Sequence, residues 1–141
     1  MNVRLVETDA ELDKVAGVLL EMRTDYAKDQ LIAQIKQQQQ RGYELAYVES
    51  EGEVLCVAGF IVATKLAWGR HIYIDDFVTT EAHRRRGVGA LLIDWLQVHA
   101  RERGCQQIHL DSRVTNFVAH RFYLRHGFHI ASHHFSIRDL A

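Results

Sequence analysis

The spacing of hydrophobic and polar positions changes several times along the chain, and each change marks a predicted element. Near the start, residues 3–6 predict a short strand, and Thr8 or Asp9 then offers a helix N-cap. A first helix is predicted because apolar residues recur at helical spacing. These residues are Leu12, Val15, Ala16, Leu19, Leu20 and Met22. A second helix is predicted over residues 29–41, with Gly42 as its stop.

The middle of the chain follows the period of β-strands. Residues 44–49 alternate, and the pair Glu51-Gly52 predicts a hairpin turn. Residues 54–63 form a nearly continuous apolar run, which is typical of a buried strand. A second turn at residues 67–69 leads into another β-rich segment at residues 71–78. This region is therefore predicted to be a three-stranded antiparallel meander.

The last third returns to helix and ends in a β-rich stretch. An apolar stripe predicts a helix over residues 87–103, which Gly104 ends. A strand at residues 107–110, a helix at 116–126 and a final β-rich stretch at 128–137 follow. No glycine or asparagine divides that stretch, so whether it is one strand or two stays open. The order β-α-α-β-β-β-α-β-α-β predicts an α/β fold with a mixed sheet.

Composition narrows the class of protein. With 141 residues, 48% hydrophobic and 25% charged, the chain is expected to be a single domain over residues 1–141. A net charge of −1 argues against nucleic acid or an anionic membrane as partner. The sequence has no apolar run of about 18 residues and begins with a charged segment unlike a signal peptide. Cys56 and Cys105 are expected to be reduced packing residues of a cytoplasmic protein.

The stretch HRRRGVGALL, residues 83–92, places three arginines beside two glycines at a predicted helix start. A helix N-terminus carries unpaired N–H groups and roughly +0.5 charge, and glycine lets a ligand approach the backbone closely. The patterns GxGxxG and GxxxxGK[ST] are absent, which argues against a dinucleotide fold or a P-loop. Arg-x-x-Gly-x-Gly over residues 84–89 therefore favours a site for a multiply anionic group. A basic surface turn is the alternative.

A second motif, NFVAHRFYLRHGF at residues 116–128, lies on a predicted helix after a strand. Together the two motifs resemble the GNAT superfamily of N-acetyltransferases, which carries Arg/Gln-x-x-Gly-x-Gly/Ala and then Asn-x-x-Ala-x-x-Phe-Tyr-x-x-x-Gly-Phe. The motifs span residues 84–128, and the order of elements extends the likeness to nearly the whole chain. The resemblance implies the α/β GNAT fold, with a mixed, mostly antiparallel sheet of six to seven strands flanked by about four helices.

The resemblance also implies acetyl-coenzyme A as the acyl donor. Backbone amides of the glycine loop would hold its pyrophosphate, with arginine side chains helping; which arginines contact phosphate stays open. The backbone at Phe77 and Val78 would pair with the pantetheine arm, and an N–H there would polarise the thioester carbonyl. The implied cofactor-binding residues are Phe77, Val78, Arg84, Arg85, Arg86, Gly87, Val88, Gly89, Ala90, Asn116 and Tyr123.

The reaction implied by the resemblance is direct attack of an amine on the thioester. Tyr123 would lie near the sulfur and protonate or hydrogen-bond the departing thiolate; a packing aromatic is the alternative. The segment HIYIDDFV holds Asp75 and Asp76, which are expected to face opposite ways on a strand. Polyamine and glucosamine-phosphate acetyltransferases carry Glu-Asp here, so Asp75 inherits the role of base or substrate anchor. Its short side chain favours a relay through water, and a purely structural role stays open.

The acceptor is expected to be a primary amine of a small molecule, and the acidic residues give a weak preference for a cation such as a polyamine or aminoglycoside. In the family the first two helices, their connection and the last strands choose the acceptor. The candidate substrate residues here are Glu21, Asp25, Tyr26 and Asp76. Two other hypotheses stay open: acetylation of a protein or peptide, and binding of acetyl-CoA without turnover, as a sensor or interaction module.

Nine histidines invite a metal hypothesis, but their spacing matches no zinc signature. No metal site is therefore expected. A histidine that lines the acceptor pocket stays open among the four of the C-terminal region, His126, His129, His133 and His134. Small members of the family commonly dimerise, and a final β segment with an exposed edge is compatible with a homodimer.

Overall fold

The elements follow the predicted order up to the last helix. The computed structural model describes residues 1–84 and 86–141 and divides the chain into two units, Met1–Leu110 and Asp111–Ala141. The first unit contains β1 (Asn2–Leu5), α1 (Asp9–Leu19), α2 (Lys28–Gln39), β2 (Tyr43–Ser50), β3 (Glu53–Lys65), β4 (Gly69–Thr79), a 3₁₀ turn (Glu81–His83), α3 (Val88–Glu102) and β5 (Gln107–Leu110). The second unit contains α4 (Phe117–Arg125).

The five strands form one mixed sheet in the order β1-β2-β3-β4-β5. The first four are antiparallel, which confirms the predicted meander, and β5 runs parallel to β4. Glu51 and Gly52 both have positive φ, 52° and 77°, as a two-residue hairpin turn requires. The β4–β5 pairing covers His71–Ile74 against Gln107–Leu110, whereas β4 continues to Thr79.

Helix α1 begins after Thr8, one of the two predicted N-cap residues, which forms a capping box with Glu11. The Thr8 hydroxyl accepts from the Glu11 N–H at 3.1 Å, and the Glu11 carboxylate accepts from the Thr8 N–H at 3.0 Å. The buried face of α1 packs against residues of α2 and the sheet, and the resulting core contains Leu12, Val15, Ala16, Leu19, Leu31, Ile35, Tyr43, Leu45 and Val57. Both helices are anchored in this way, and the connection between them reaches β4 through the contact of Arg23 with Asp76.

Helix α3 packs on β2, β3 and β4 through a separate set of apolar residues. Val88, Leu92, Ile93 and Leu96 are each at most 1% exposed. Gly104 follows the helix with a φ of 72° and ends it, as predicted. This packing places the first turn of α3 shortly after the end of β4, where the glycine loop lies.

Two predictions about the sheet were wrong. The sheet of the described residues has five strands rather than six to seven. Residues 128–141, all of them described, lie in neither helix nor strand, although residues 128–137 were expected to be β-rich. The apolar pattern favours an extended segment, but a strand also needs a neighbour for its backbone groups, and the pattern of one segment does not show whether it has one.

Candidate active site

A cavity of about 320 Å³ lies in the first unit, beside the α1–α2 connection. It is lined by Leu19, Arg23, Asp25, Tyr26, Leu31, Gln34, Ile35, Gln38, Tyr43, Asp75 and Asp76. The lining therefore combines an aliphatic wall with three carboxylates, one guanidinium group and two amides. Convergent polar groups in a small concave site are typical of a site for a small molecule, and here the carboxylates favour a cation.

A β-bulge brings both aspartates of β4 to this cavity. The register between β3 and β4 moves from Gly59–Asp76 to Phe60–Ile74, so Asp75 is the extra residue of the bulge. An extra residue interrupts the alternation of side chains along a strand. The expectation that Asp75 and Asp76 face opposite ways assumed a regular alternation, which the bulge interrupts, and both residues line the same cavity.

Asp76 is held by two side chains from other elements. The Tyr43 hydroxyl donates to Asp76 Oδ2 at 2.6 Å, and Arg23 Nε donates to Oδ1 at 2.9 Å. Burial, and then the charge of Asp76, raise the pKa of Tyr43, so its hydroxyl remains a donor. Burial is the largest single effect and lowers the pKa of Arg23, but the hydrogen bond to Asp76 and the surrounding negative charges, that of Asp76 first, together outweigh it, so the pKa of Arg23 is raised.

Asp75 has a different environment from its neighbour, because its side chain is exposed at the cavity wall. Partial desolvation, and then the negative charge of Asp76, raise the pKa of Asp75, while Arg23 acts in the opposite direction. A carboxylate with a raised pKa accepts a proton more readily than an ordinary aspartate. This is the property that a general base for an ammonium group needs.

The other predicted acceptor residues lie in two different places. Asp25 and Tyr26 line the same cavity as Asp75. Glu21 instead borders a second cavity of about 940 Å³, with the β2–β3 turn and the segment that follows β4. Its carboxylate accepts from the Glu81 N–H at 3.0 Å. Of these two cavities in the described residues, the first brings Asp25 and Tyr26 together with Asp75.

Sequence reasoning missed four polar residues of the first cavity: Arg23, Tyr43, Gln34 and Gln38. Gln34 and Gln38 are four residues apart on α2, and the Gln34 amide donates to Gln38 at 3.1 Å. That spacing is a signal that could have placed both on one helix face. Arg23 and Tyr43 carry no such signal, because they reach Asp76 through contacts between residues far apart in the sequence.

The glycine loop has a backbone that suits an anionic group. Gly87 precedes α3 in the left-handed conformation, with φ 76° and ψ 8°, and no described side chain caps this helix end. Arg84 and Arg86 are exposed, and the Arg86 guanidinium lies 2.6 Å from His83 Nδ1. Arg85, also predicted to contact phosphate, lies outside the described residues. The unmet N–H groups of the helix start and the nearby guanidinium groups therefore fit a pyrophosphate.

The remaining predicted cofactor-binding residues lie on β4, in the first turn of α3 and in the second unit. Phe77 and Val78 pair with Ala58 and Val57 of β3, beyond the last β4–β5 pair. Val88, Gly89 and Ala90 form the first turn of α3.

Asn116 and Tyr123 belong to the second unit. The Asn116 side chain caps α4 by accepting from the Ala119 N–H at 3.2 Å. The Tyr123 ring packs against the rings of Phe122 and Phe128, each with its centroid 5.5 Å away. Within residues 1–84 and 86–141 no group of three potential ligands is arranged to hold a metal ion. The helices of this described part are too short or too polar to span a bilayer.

The fold and the site define an α/β enzyme domain that combines a loop suited to an anion with a small acidic cavity. The chain matches the model of the acetyltransferase (GNAT) family over residues 11–128 and belongs to this family. It is an acetyl-CoA-dependent acyltransferase, and the resemblance seen in the two motifs is confirmed.

Individual relatives agree with this assignment. The chain is 28% identical over 120 residues to the uncharacterized N-acetyltransferase YhdJ of Bacillus subtilis, covering 84% of each chain. It is 33% identical over 72 residues to the streptothricin acetyltransferase of Streptomyces lavendulae, covering 51% of this chain and 38% of the relative. The aminoglycoside N-acetyltransferase AAC(6')-Iy, solved in complex with CoA, superimposes with a TM-score of 0.88 at 15% identity, covering 99% of this chain and 95% of that one.

Proposed function

We propose that this protein transfers the acetyl group of acetyl-CoA to a primary amine of a small cationic molecule. The observation that carries the proposal is the cavity of about 320 Å³, the acceptor cavity of this proposal, where Asp25 and Asp75 lie beside a short aliphatic wall. Asp76 is the third carboxylate, but the Arg23 guanidinium compensates its charge. Asp25 and Asp75 therefore remain to attract an ammonium group.

Asp75 is the proposed proton acceptor. An alkyl amine has a pKa of about 10.4, as in lysine, so it must lose a proton before it can attack a carbonyl. The raised pKa of Asp75 and its exposure at the cavity wall support this role, either directly or through one water. The short aspartate side chain favours the route through water.

The acyl donor brings a thioester whose carbonyl carbon accepts the amine. The backbone amides of Gly87, Val88, Gly89 and Ala90 are the proposed partners of its pyrophosphate, with Arg84 and Arg86 as helpers. Phe77 and Val78 are the proposed backbone partners of the pantetheine arm, which is supported by the continuation of β4 beyond its pairing with β5. For Asn116 and Tyr123, the family motif supports contact with the arm and protonation of the thiolate.

The relatives agree with an amine acceptor but differ in its identity. Their names include a streptothricin acetyltransferase and an aminoalkylphosphonate N-acetyltransferase of Salmonella typhimurium, 33% identical over 55 residues. Both names refer to small amine-bearing molecules. The carboxylates of the cavity favour a polyamine or aminoglycoside over an anionic phosphonate for this chain.

We further infer one domain over residues 1–141, a reducing compartment such as the cytoplasm, and a homodimer. The family match crosses from the first unit into the second, which supports one domain. Cys56 and Cys105 are free thiols, and burial raises the pKa of Cys56 to about 11, which suits a packing residue. The homodimer is supported by exposed apolar side chains in the second unit, which include Ile130, Phe135 and Ile137.

The test is release of free CoA thiol from acetyl-CoA across a panel of polyamines, aminoglycosides, amino acids and peptides. Turnover should be fastest with the cationic small amines. Turnover with peptides alone would support the protein-acetyltransferase alternative. If acetyl-CoA raises the melting temperature but no amine is acetylated, a sensor or interaction module is the correct function.

A further inference from the structure

Asp76 lies in the wall of the acceptor cavity, yet its carboxylate is already bound on both oxygens. Oδ1 accepts from Nε and Nη2 of Arg23, and Oδ2 accepts from the Tyr43 hydroxyl. Only 12% of the Asp76 side chain is exposed. A carboxylate that is buried, paired and hydrogen-bonded in this way has little capacity left for a ligand.

We propose that Arg23, Tyr43 and Asp76 form a positioning lock that fixes the bulge of β4 and sets the charge acting on Asp75, while Asp76 itself does not bind the acceptor. This assigns Asp76 a different role from the substrate contact expected from the sequence. Asp75 and Asp76 are adjacent and chemically alike, but in this proposal Asp76 is a positioning residue and Asp75 faces the acceptor. That the cavity binds an acceptor amine rests on the proposed function, whereas the contacts of Arg23 and Tyr43 with Asp76 do not.

The lock joins three elements at one point. Arg23 comes from the α1–α2 connection, Tyr43 begins β2, and Asp76 lies on β4. Arg23 Nη2 also donates to the backbone carbonyl of Asp75 at 3.3 Å. The extra residue of the bulge is therefore held by its main chain, while its carboxylate stays exposed at the cavity wall.

The two charges of the lock act on Asp75 in opposite directions. After desolvation, the charge of Asp76 raises the pKa of Asp75, and the charge of Arg23 lowers it. The other ionisable groups lining the described cavity are Asp25 and Tyr26 of the connection and Tyr43 of β2, while α2 presents the neutral amides of Gln34 and Gln38. Removing one member of the Arg23–Asp76 pair should therefore move the titration of Asp75 in a direction set by the charge removed.

The test compares Asp76→Asn with Arg23→Gln. The Asp75 carboxyl is titrated by ¹³C NMR, and the acidic limb of kcat/KM for the amine is recorded in parallel. Asp76→Asn should lower the pKa of Asp75 and Arg23→Gln should raise it, each by about half a unit or more. Opposite shifts support the lock, because loss of packing alone does not depend on the sign of the removed charge.

Two matched variants control for loss of the same kinds of bond elsewhere. Arg103→Gln removes a pair with Glu44 at 3.1 Å, and Tyr47→Phe removes a hydrogen bond to Glu11. None of these four residues lines the cavity, so both variants should leave the Asp75 titration unchanged. Absent shifts in the lock variants, shifts in one direction, or equal shifts in the controls would overturn the proposal.

The two readouts separate the lock from the proposed function. The NMR titration needs no turnover, so opposite shifts in a protein that acetylates no amine would support the lock and reject only the proposed function. Turnover without opposite shifts would reject only the lock. Arg23→Gln is expected to fold, because the Arg23 side chain is 41% exposed and its truncation leaves the core intact. If Asp76→Asn does not fold, the proposal is therefore tested on Arg23→Gln alone, which must raise the pKa of Asp75.

Discussion

Gly59 lies opposite Asp76 on β3, and its missing side chain leaves the space that the Tyr43 hydroxyl occupies. A Cβ atom at Gly59 would lie 1.8 Å from Tyr43 Oη. Tyr43 is only 4% exposed and belongs to the hydrophobic core, so its neighbours hold the ring in place. A glycine in the middle of a strand ordinarily weakens the strand. At Gly59 this cost is offset, because the missing side chain lets the Tyr43 hydroxyl reach Asp76 and donate a hydrogen bond to it.

We therefore expect Gly59→Ala to be destabilising, although replacing a glycine inside a strand with alanine ordinarily stabilises the strand. Overpacking at this site should cost about 1–3 kcal/mol of unfolding free energy. Urea denaturation measures the change. The matched control is Gly17→Ala in α1, where a Cβ meets nothing within 4 Å and the helix should gain about 0.5–1 kcal/mol. A Gly59→Ala protein as stable as the wild type would contradict the packing described for Tyr43.

Asp75 should destabilise the fold at neutral pH, since its pKa is raised in the folded state. The folded chain then binds the proton more readily than the unfolded chain, so stability falls as pH rises from the ordinary aspartate pKa through the raised value. Asp75→Asn should therefore melt at a higher temperature than the wild type at pH 7. The difference should narrow as the pH falls below about 4.

Melting curves across this pH range, with Asp29→Asn as the control, check this expectation. Asp29 is exposed in the first turn of α2, outside the cavity lining, and its loss should not stabilise the fold. If Asp75→Asn melts at the same temperature as the wild type at pH 7, or if its advantage grows towards low pH, the raised pKa of Asp75 is contradicted.

At the scale of elements, the start of α3 depends on a left-handed glycine. Gly87 has φ 76° and Gly52 has φ 77°, and a Cβ at either position meets nothing within 4 Å. Alanine in this conformation costs about 1 kcal/mol at each site. Because the two glycines share conformation and open surroundings, they form a matched pair for separating stability from cofactor binding.

Gly87→Ala and Gly52→Ala should lose similar unfolding free energy, but only Gly87→Ala should weaken CoA binding. The physical reason is that Gly87 sets the direction of the N–H groups at the start of α3, whereas Gly52 lies in the β2–β3 turn. Isothermal titration with CoA distinguishes them, and a tenfold or greater loss of affinity is expected for Gly87→Ala alone. Equal affinities would remove the loop from the pyrophosphate site.

Most elements could be predicted from the sequence because their signals are local. The Thr8 cap, the Glu51-Gly52 turn, the stop at Gly104 and the exact bounds of β5 all follow from nearby residues. The bulge at Asp75 could not be predicted, because the apolar residues Ile72, Ile74 and Val78 keep an even spacing across it. The β-rich prediction for residues 128–137 was wrong for a related reason, since strand pairing depends on a partner strand and not on the segment alone.

The candidate site was partly predictable for the same physical reason. Asp25, Tyr26 and Asp75 were found because acidic and aromatic residues stand out next to predicted elements and family motifs. Arg23 and Tyr43 were missed because their contact with Asp76 spans 53 and 33 residues of sequence. Glu21 was grouped with the acceptor residues by its position in the chain, but it borders the other cavity.

At the scale of the whole molecule, the second unit presents apolar side chains that a folded protein normally covers. Phe135, Ile137 and Leu140 are 84–90% exposed, and α4 has no buried residue. We expect sedimentation to show a homodimer, and Ile137→Ser to shift it towards monomer. Leu66→Ser, at a fully exposed position of the β3–β4 turn, is the control that should leave the dimer intact. A monomeric wild type would reject the homodimer.

The most direct measurement compares two acceptors that differ in one charge, butylamine and 1,4-diaminobutane, by release of free CoA thiol. Both present the same primary amine, so a difference in kcat/KM reports the second ammonium group. We expect the diamine to be preferred at least tenfold, and Asp25→Asn to reduce that preference while Asp29→Asn does not, since Asp25 lines the cavity and Asp29 does not. Equal turnover of both amines, or a preference that survives loss of Asp25, would contradict an acidic cavity that selects a cationic acceptor.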